Sequence, residues 1–139
     1  MPARSRSRES IISRLAVAVR PFKARWAAYR TSVDYLSDGP DIHIVLLSEQ
    51  VARIAARGEW NELAGFFEAL ERYAVRRQLH VARVVAVGLL LDVIEDLELL
   101  EVELQQFFER LGPASRQAWC DAYRNGHYGA QWQDPTVLD

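Results

Sequence analysis

Apolar residues recur every three or four positions along most of this chain, which is the spacing of one face of an α-helix. The first such stripe extends from residue 12 to residue 33, and Pro21 interrupts it. A proline inside a helix removes a hydrogen bond and clashes with the preceding turn, so the pattern predicts either a kink or two separate helices. The members of the stripe are Ile12, Leu15, Val19, Phe22, Trp26, Tyr29 and Val33.

Glycine and proline mark the later helix boundaries, since Gly favours the left-handed residue after a helix and Pro the first turn of the next. They predict helices over about 42–57, 59–77, 79 onwards, 99–111 and 113–125. The helix that begins near Leu79 is apolar on more than one side, so it is expected to be central. The boundary residues are Gly39-Pro40, Gly58, Gly112-Pro113 and Gly126. The expected core between the third and fourth segments contains Phe66, Phe67, Leu70, Val84 and Leu91.

No sustained polar–apolar alternation indicates a β-hairpin. The sequence therefore predicts an all-α fold, with one domain over residues 1–139. The architecture is either an antiparallel helical bundle or a short HEAT-like stack of five to seven helices. Residues 1–10 are interpreted as a basic tail that is a candidate for disorder, and residues 126–139 as an irregular C-terminal tail.

The composition fits a globular domain, because half of the 139 residues are hydrophobic and 26% are charged. Cys120 is the single cysteine, so no internal disulfide can form. The most apolar run, residues 84–91, is too short to span a bilayer. The charged N-terminus lacks the apolar core of a secretory signal, and the expected location is cytoplasmic.

The residues that catalysis or metal binding would need are scattered along the chain. His43, His80 and His127 have no metal-ligand spacing. Cys120 has no neighbouring base, since His127 lies beyond the predicted end of its helix. No nucleophile elbow, phosphate-binding loop or dinucleotide-binding glycine motif occurs. The sequence therefore predicts a protein that is not an enzyme and that uses no metal or cofactor.

A dense acidic cluster is the first feature that suggests binding. It contains six carboxylates within twelve residues and no base. Its members are Asp92, Glu95, Asp96, Glu98, Glu101 and Glu103. One interpretation is a solvated helix end answered by the basic N-terminus, because like charges three or four residues apart repel. The other is a partner-binding surface that attracts a basic protein and excludes wrong partners.

The N-terminal segment has the opposite charge. Residues 1–30 carry eight basic side chains against Glu9 alone, a net charge of +7, and the remainder carries −9. An arginine-rich amphipathic helix can bind nucleic acid or an anionic membrane surface. The acidic remainder of the chain disfavours binding to nucleic acid. Nucleic-acid binding is therefore kept as the alternative function.

From about residue 39 to residue 119 the chain resembles a family of small bacterial all-helical proteins. The resemblance rests on Val93-Ile94-Glu95-Asp96-Leu97, on Leu111-Gly112-Pro113-Ala114-Ser115-Arg116, and on the late Trp119. It implies an immunity protein that is encoded beside a polymorphic toxin and neutralises that toxin by binding it. The arginine-rich first thirty residues lie outside the resemblance.

The leading hypothesis is therefore an immunity protein or similar protein-binding module that binds a cognate toxin through the acidic cluster. The alternative is a nucleic-acid-associated regulatory protein that uses the basic N-terminal helix. Self-association into a homo-oligomer stays open.

Overall fold

The computed structural model describes residues 3–76 and 79–126, which form seven α-helices and no strand within those ranges. This confirms the all-α, single-domain prediction. The helices are α1 (Ala3–Ala18), α2 (Lys23–Arg30), α3 (Val33–Ala56), α4 (Ala64–Ala74), α5 (His80–Leu99), α6 (Leu104–Phe108) and α7 (Pro113–Gly126). Short 3₁₀ turns over Arg20–Phe22 and Trp60–Leu63 precede α2 and α4.

The predicted break at Pro21 is present, and it separates α1 from α2 through the first 3₁₀ turn. The stripe of apolar residues nevertheless ends earlier than predicted. Ser32 begins a new helix by accepting a hydrogen bond from the Tyr35 amide at 3.3 Å. Val33 therefore lies at the start of α3 and is 83% exposed, so its predicted place on the stripe was wrong.

The boundary predicted at Gly39-Pro40 is a kink within α3. Gly39 adopts φ 80° and ψ 173°, outside the helical region, and Pro40 has no amide hydrogen to donate. The Tyr35 carbonyl oxygen lies 3.1 Å from Nε2 of the buried His43. His43 therefore contacts the backbone on the other side of the kink.

Helix α5 is the central helix, as predicted, and it packs against α3, α7, α1 and α4. Phe66 and Leu70 of α4 are buried as predicted, whereas Phe67 and Leu91 are half-buried at the edge of the core. Val84 is 42% exposed, and its assignment to the core was wrong. Helix α5 turns that position away from its neighbours, so an apolar run does not by itself reveal which side faces solvent.

The fifth predicted helix, over 99–111, is shorter than predicted, because α5 ends at Leu99, a turn follows, and α6 covers only Leu104–Phe108. Helix α7 begins at Pro113 as predicted. Its first turn is capped by Glu71 of α4, whose carboxylate accepts hydrogen bonds from the Ala114 amide at 3.1 Å and the Ser115 amide at 2.8 Å. Trp119 of the same helix is fully buried and stacks on Phe107 with ring centroids 5.5 Å apart.

At the N-terminus α1 begins at Ala3, so residues 3–10 of the predicted basic tail are helical, and residues 1–2 lie outside the described residues. The predicted irregular tail over 126–139 lies outside the described residues, apart from Gly126 at the end of α7. Within the described ranges no helix is long and apolar enough to cross a membrane.

Candidate functional site

The structure divides the predicted acidic cluster between α5 and the turn that follows it. Four members, Asp92, Glu95, Asp96 and Glu98, are half-buried on the last two turns of α5. Glu101 and Glu103 are exposed in the turn between α5 and α6. The six residues are called the acidic face below. Its helical members are more buried than a freely solvated helix end would make them.

Asp96 is held by helix α3, which lies against this part of α5. The hydroxyl of the buried Ser48 lies 2.9 Å from Oδ2 of Asp96 and 3.0 Å from the Val45 carbonyl, so its single hydrogen serves one of them at a time. Burial raises the pKa of Asp96, and the Ser48 hydrogen bond opposes that rise without cancelling it.

Asp92 lies one turn earlier on α5 and is the most perturbed carboxyl of the acidic face. Burial, followed by repulsion from Glu95, Asp96 and the α3 residue Asp41, raises the pKa of Asp92 to about 6. Asp41 of α3 repels Asp92, and Ser48, further along α3, contacts Asp96, further along α5. The two helices therefore run in roughly the same direction. Asp41 and Glu49 of α3 thereby extend the negative charge beyond α5.

The end of α5 has an unusual backbone. The Glu101 amide donates to the Glu98 carbonyl at 3.1 Å, and the Val102 amide donates to the Leu97 carbonyl at 2.9 Å. This is the Schellman pattern, in which the residue at the position of Glu101 is left-handed and is usually glycine. Glu101 has φ 59°, the only positive φ among the described non-glycine residues.

A shallow groove of about 530 Å³ runs along the acidic face and is lined by Glu95, Asp96, Glu98 and Leu99. Oε1 of Glu98 is buried there and has no hydrogen-bond partner among the described residues. Leu99, which lines the groove, is 80% exposed, and the next residue, Leu100, is 44% exposed. The groove thus combines carboxylates with an apolar side chain that the described part of the fold leaves in solvent.

The basic N-terminus partly approaches this region, at its α3 border. Arg8 of α1 forms an ion pair with Asp41 at 3.3 Å. Arg53 of α3 lies 4.0 Å from Glu49 and lowers the pKa of Asp96. Despite these bases the pKa of Asp96 remains raised, chiefly because the carboxyl group is buried.

Sequence reasoning found the acidic face because its members are contiguous, but it missed the α3 contribution. Asp41, Ser48 and Glu49 precede the cluster by more than forty residues, and the only available signal was their spacing of about two helical turns. It also missed Glu71, which has no distinctive neighbours in the sequence. Burial raises the pKa of Glu71, but the hydrogen bonds from Ser115 and Ala114 outweigh this and hold it below its usual value.

Two of the other residues considered for chemistry, Cys120 and His43, are buried. Cys120 is buried in the core, and His43 lies in an aromatic cluster, stacked on Tyr35 at 4.2 Å. Across residues 3–76 and 79–126, no three His, Cys, Asp or Glu side chains are placed to hold a metal ion. His127 lies outside those ranges. Comparisons of the chain with protein-family models, curated proteins and solved structures found no match.

Proposed function

We propose that this chain is a non-catalytic protein-binding module that neutralises a cognate toxin, in the manner of an immunity protein, by binding it through the acidic face. The partner surface would be basic, with a shallow apolar pocket for Leu99. This function needs only a stable interface of about 1,600 Å² with a few strong anchors, and no bond-breaking chemistry.

The observation that carries the proposal is the left-handed Glu101. This conformation costs an L-residue with a side chain about 1–2 kcal/mol, and glycine adopts it freely. Strained residues of this kind tend to occur where a binding role outweighs the cost to stability. Glu101 is exposed and makes the acidic face more negative, so a role of its carboxylate in contacting a partner explains why a glutamate stands there.

The raised pKa values of Asp92 and Asp96 support a basic partner. They mean that burial and repulsion between carboxylates disfavour the charged forms of Asp92 and Asp96 in the folded chain. A lysine or arginine placed beside them would relieve that repulsion and favour the charged form. Charge of one sign also raises association rates with an oppositely charged protein.

Leu99 and Leu100 supply the apolar part of the proposed interface. A protein interface usually has an apolar centre surrounded by polar residues, and a few central side chains provide most of the binding free energy. Leu99, the more exposed of the two, projects from the groove that the carboxylates line. Leu99→Ala should therefore weaken binding while leaving the core unchanged.

The proposal is tested by affinity capture from the native host with the purified chain as bait. Wild type should retain a basic protein, and the variant with Glu98, Glu101 and Glu103 changed to Gln should lose it. A matched variant carries the same charge change at Glu59, Glu68 and Glu109, which are exposed outside the groove, and it should still retain the protein. The captured protein should be toxic when produced alone, and co-production of the wild-type chain should restore growth. Capture that is identical for all three baits, or a captured protein with no toxicity, would contradict the proposal.

A second candidate is a nucleic-acid-associated regulatory protein, and the exposed arginines of the N-terminal segment favour it. Arg14 and Arg20 are both exposed, and neither forms an ion pair with a described residue. Binding to DNA or RNA should then fall steeply with salt, because phosphate contacts release counterions. Changing Arg14 and Arg20 to Gln should reduce both the affinity and the salt slope. Salt-independent or absent binding would exclude this candidate.

A further inference from the structure

Three arginines from two helices surround a second hollow, which shares no residue with the acidic face. Arg14 of α1 lies across from Arg72 of α4 and from Arg76 just beyond the end of α4. The hollow encloses about 230 Å³, and its remaining wall is apolar and aromatic, including Val17, Ala69 and Tyr73. We call it the arginine hollow.

The charges of the arginine hollow are not balanced by the described part of the fold. No carboxylate lines it, and none of its three arginines makes an ion pair with a residue in 3–76 or 79–126. Other arginines of the chain are paired, for example Arg83 with Asp121 at 2.8 Å and Arg57 with Glu59 at 2.7 Å. Three like charges around one hollow repel each other, and an anion placed between them would remove that repulsion.

Helix packing fixes the position of the hollow. Gly65 of α4 lies so close to α1 that a Cβ atom there would be 3.1 Å from the Ala18 carbonyl oxygen. Arg76 is also oriented, with its guanidinium 5.7 Å from the centroid of the Tyr73 ring. The packing of α1 against α4 therefore sets the separation of the backbone positions that carry Arg14 and Arg72.

We propose that the arginine hollow binds a small organic phosphate that carries at least two negative charges, such as a nucleoside diphosphate. The planar guanidinium donates paired hydrogen bonds that match phosphate oxygens. The hollow holds little more than the phosphate groups. An adjoining groove of about 420 Å³ shares Arg14 and Val17 with it. One carboxylate, Glu9, and one further base, Arg30, line this groove, and its Ser10, Ser13 and Tyr35 offer hydroxyl groups to the rest of such a molecule.

The test is calorimetric titration of the full chain with inorganic pyrophosphate and with ADP at low salt. Either phosphate should bind with one-to-one stoichiometry. Arg72→Gln and Arg14→Gln should each weaken binding about tenfold, since each removes charge-assisted hydrogen bonds. Lys23→Gln is the matched control, because Lys23 is exposed on α2 and lines neither groove. Its affinity should change less than twofold, and circular dichroism should show that all three variants remain helical.

Several results would overturn the inference. No binding of either phosphate at millimolar concentration would do so, as would an equal loss of affinity in Lys23→Gln, because binding would then follow net charge alone. The inference would also be wrong if a thymidine oligonucleotide or phosphatidylglycerol vesicles bound when neither small phosphate did. The arginines would then belong to an extended anion-binding surface and not to a hollow for small phosphates. The acidic face takes no part in this test, so its outcome is independent of the proposed toxin binding.

Discussion

At the scale of single residues, two helix ends of this chain use the same hydrogen-bonding pattern with different residues at its left-handed position. After α3 the residue is Gly58, with φ 72°, and the Gly58 and Glu59 amides donate to the Ala55 and Ile54 carbonyls. After α5 the corresponding residue is Glu101, with φ 59°. The pattern needs a left-handed residue at both ends, and glycine suits that conformation best. Backbone geometry therefore does not explain why the second helix end has a glutamate.

Changing Glu101 to Gly should therefore stabilise the protein by about 1 kcal/mol, because glycine adopts the left-handed region without steric cost. Urea denaturation followed by circular dichroism measures the change. Glu101→Ala separates conformation from charge, since alanine removes the carboxylate and keeps the strain, and it should give little or none of the gain. Equal stabilisation by Gly and Ala would show that charge repulsion, and not the backbone, is what is relieved.

Asp92 gives the acidic face a pH dependence whose sign follows from its raised pKa. The folded-state pKa of about 6 exceeds the ordinary value of 3.8, so the folded chain binds more protons between these values and its stability falls as pH rises through them. Asp92→Asn should thus stabilise the chain at pH 7–8 by about 1 kcal/mol, after allowance for solvent screening of a half-buried group. The gain should vanish near pH 3.5. Glu103→Gln, at an exposed position, serves as the control and should change stability little at either pH. A gain for Asp92→Asn that persists at pH 3.5 would contradict this account.

At the scale of elements, the start of α7 shows how one helix caps another. Gly112 stands before Pro113 and has no side chain with which to cap the helix, so Glu71 of α4 accepts the Ala114 and Ser115 amides instead. A Cβ atom at position 112 would lie 2.5 Å from the Glu71 carboxyl carbon. The Leu-Gly-Pro sequence therefore marks a helix boundary and also makes room for the carboxylate that caps it.

Glu71→Gln should destabilise the protein at pH 7 by about 1–2 kcal/mol. Both carboxylate oxygens of Glu71 accept hydrogen bonds from backbone amides, whereas a glutamine side chain has only one oxygen that can accept. The lowered pKa of Glu71 means that its contribution is present above the unfolded pKa of about 4.5 and is lost as pH falls through the lower folded value. The difference from wild type should therefore shrink below pH 4. Glu68→Gln, one turn away and exposed, is the matched control and should be nearly neutral. A difference that stays constant from pH 7 to pH 3 would show that the charge of Glu71 is unimportant.

The helices themselves were predictable from the sequence wherever local rules decide the backbone. Pro21 breaks the first stripe and Pro113 starts α7, since proline restricts its own φ in any context. The start of the fifth helix was predicted too early, because α5 ends at Leu99 and a turn with the left-handed Glu101, where local preference predicts glycine, precedes α6. The kink at Gly39 could not be distinguished from a stop, because the contact across it joins His43 to Tyr35, eight residues earlier.

At the scale of the whole molecule, the core is built around α5, and two adjacent phenylalanines on α4 differ in how far they enter it. Phe66 is 0% exposed, whereas Phe67 is half-buried and contacts Phe66 and Phe107 at its edge. Phe66→Ala should cost about 3–5 kcal/mol and Phe67→Ala about 1–3 kcal/mol, since the cost grows with the cavity left behind. Thermal unfolding of both variants measures the difference. Equal costs would place both rings equally deep in the core.

The charge asymmetry of the sequence becomes two separate surfaces in the folded chain. The acidic face was visible beforehand because α5 and the turn after it carry all six of its carboxylates in one short segment. The arginine hollow was not visible, because Arg14 and Arg72 are brought together only by the packing of α1 against α4. A surface built within one element can be predicted from local sequence, whereas a surface shared by two elements depends on the tertiary fold.

If the acidic face binds a basic partner, its exposed charges should act mainly on the rate of association. Changing the exposed Glu101 and Glu103 and the half-buried Glu98 to Gln should leave the fold intact, because it removes repulsion at a helix end. The association rate with the captured partner should fall, and its dependence on salt should flatten, since exposed charges steer encounters over roughly 8 Å at physiological ionic strength. Stopped-flow measurements at several salt concentrations test this against wild type. The variant with Glu59, Glu68 and Glu109 changed to Gln has the same net charge, so it should keep the wild-type rate and slope if the position of the charge matters. Equal slopes in all three proteins would mean that these carboxylates do not face the partner during encounter.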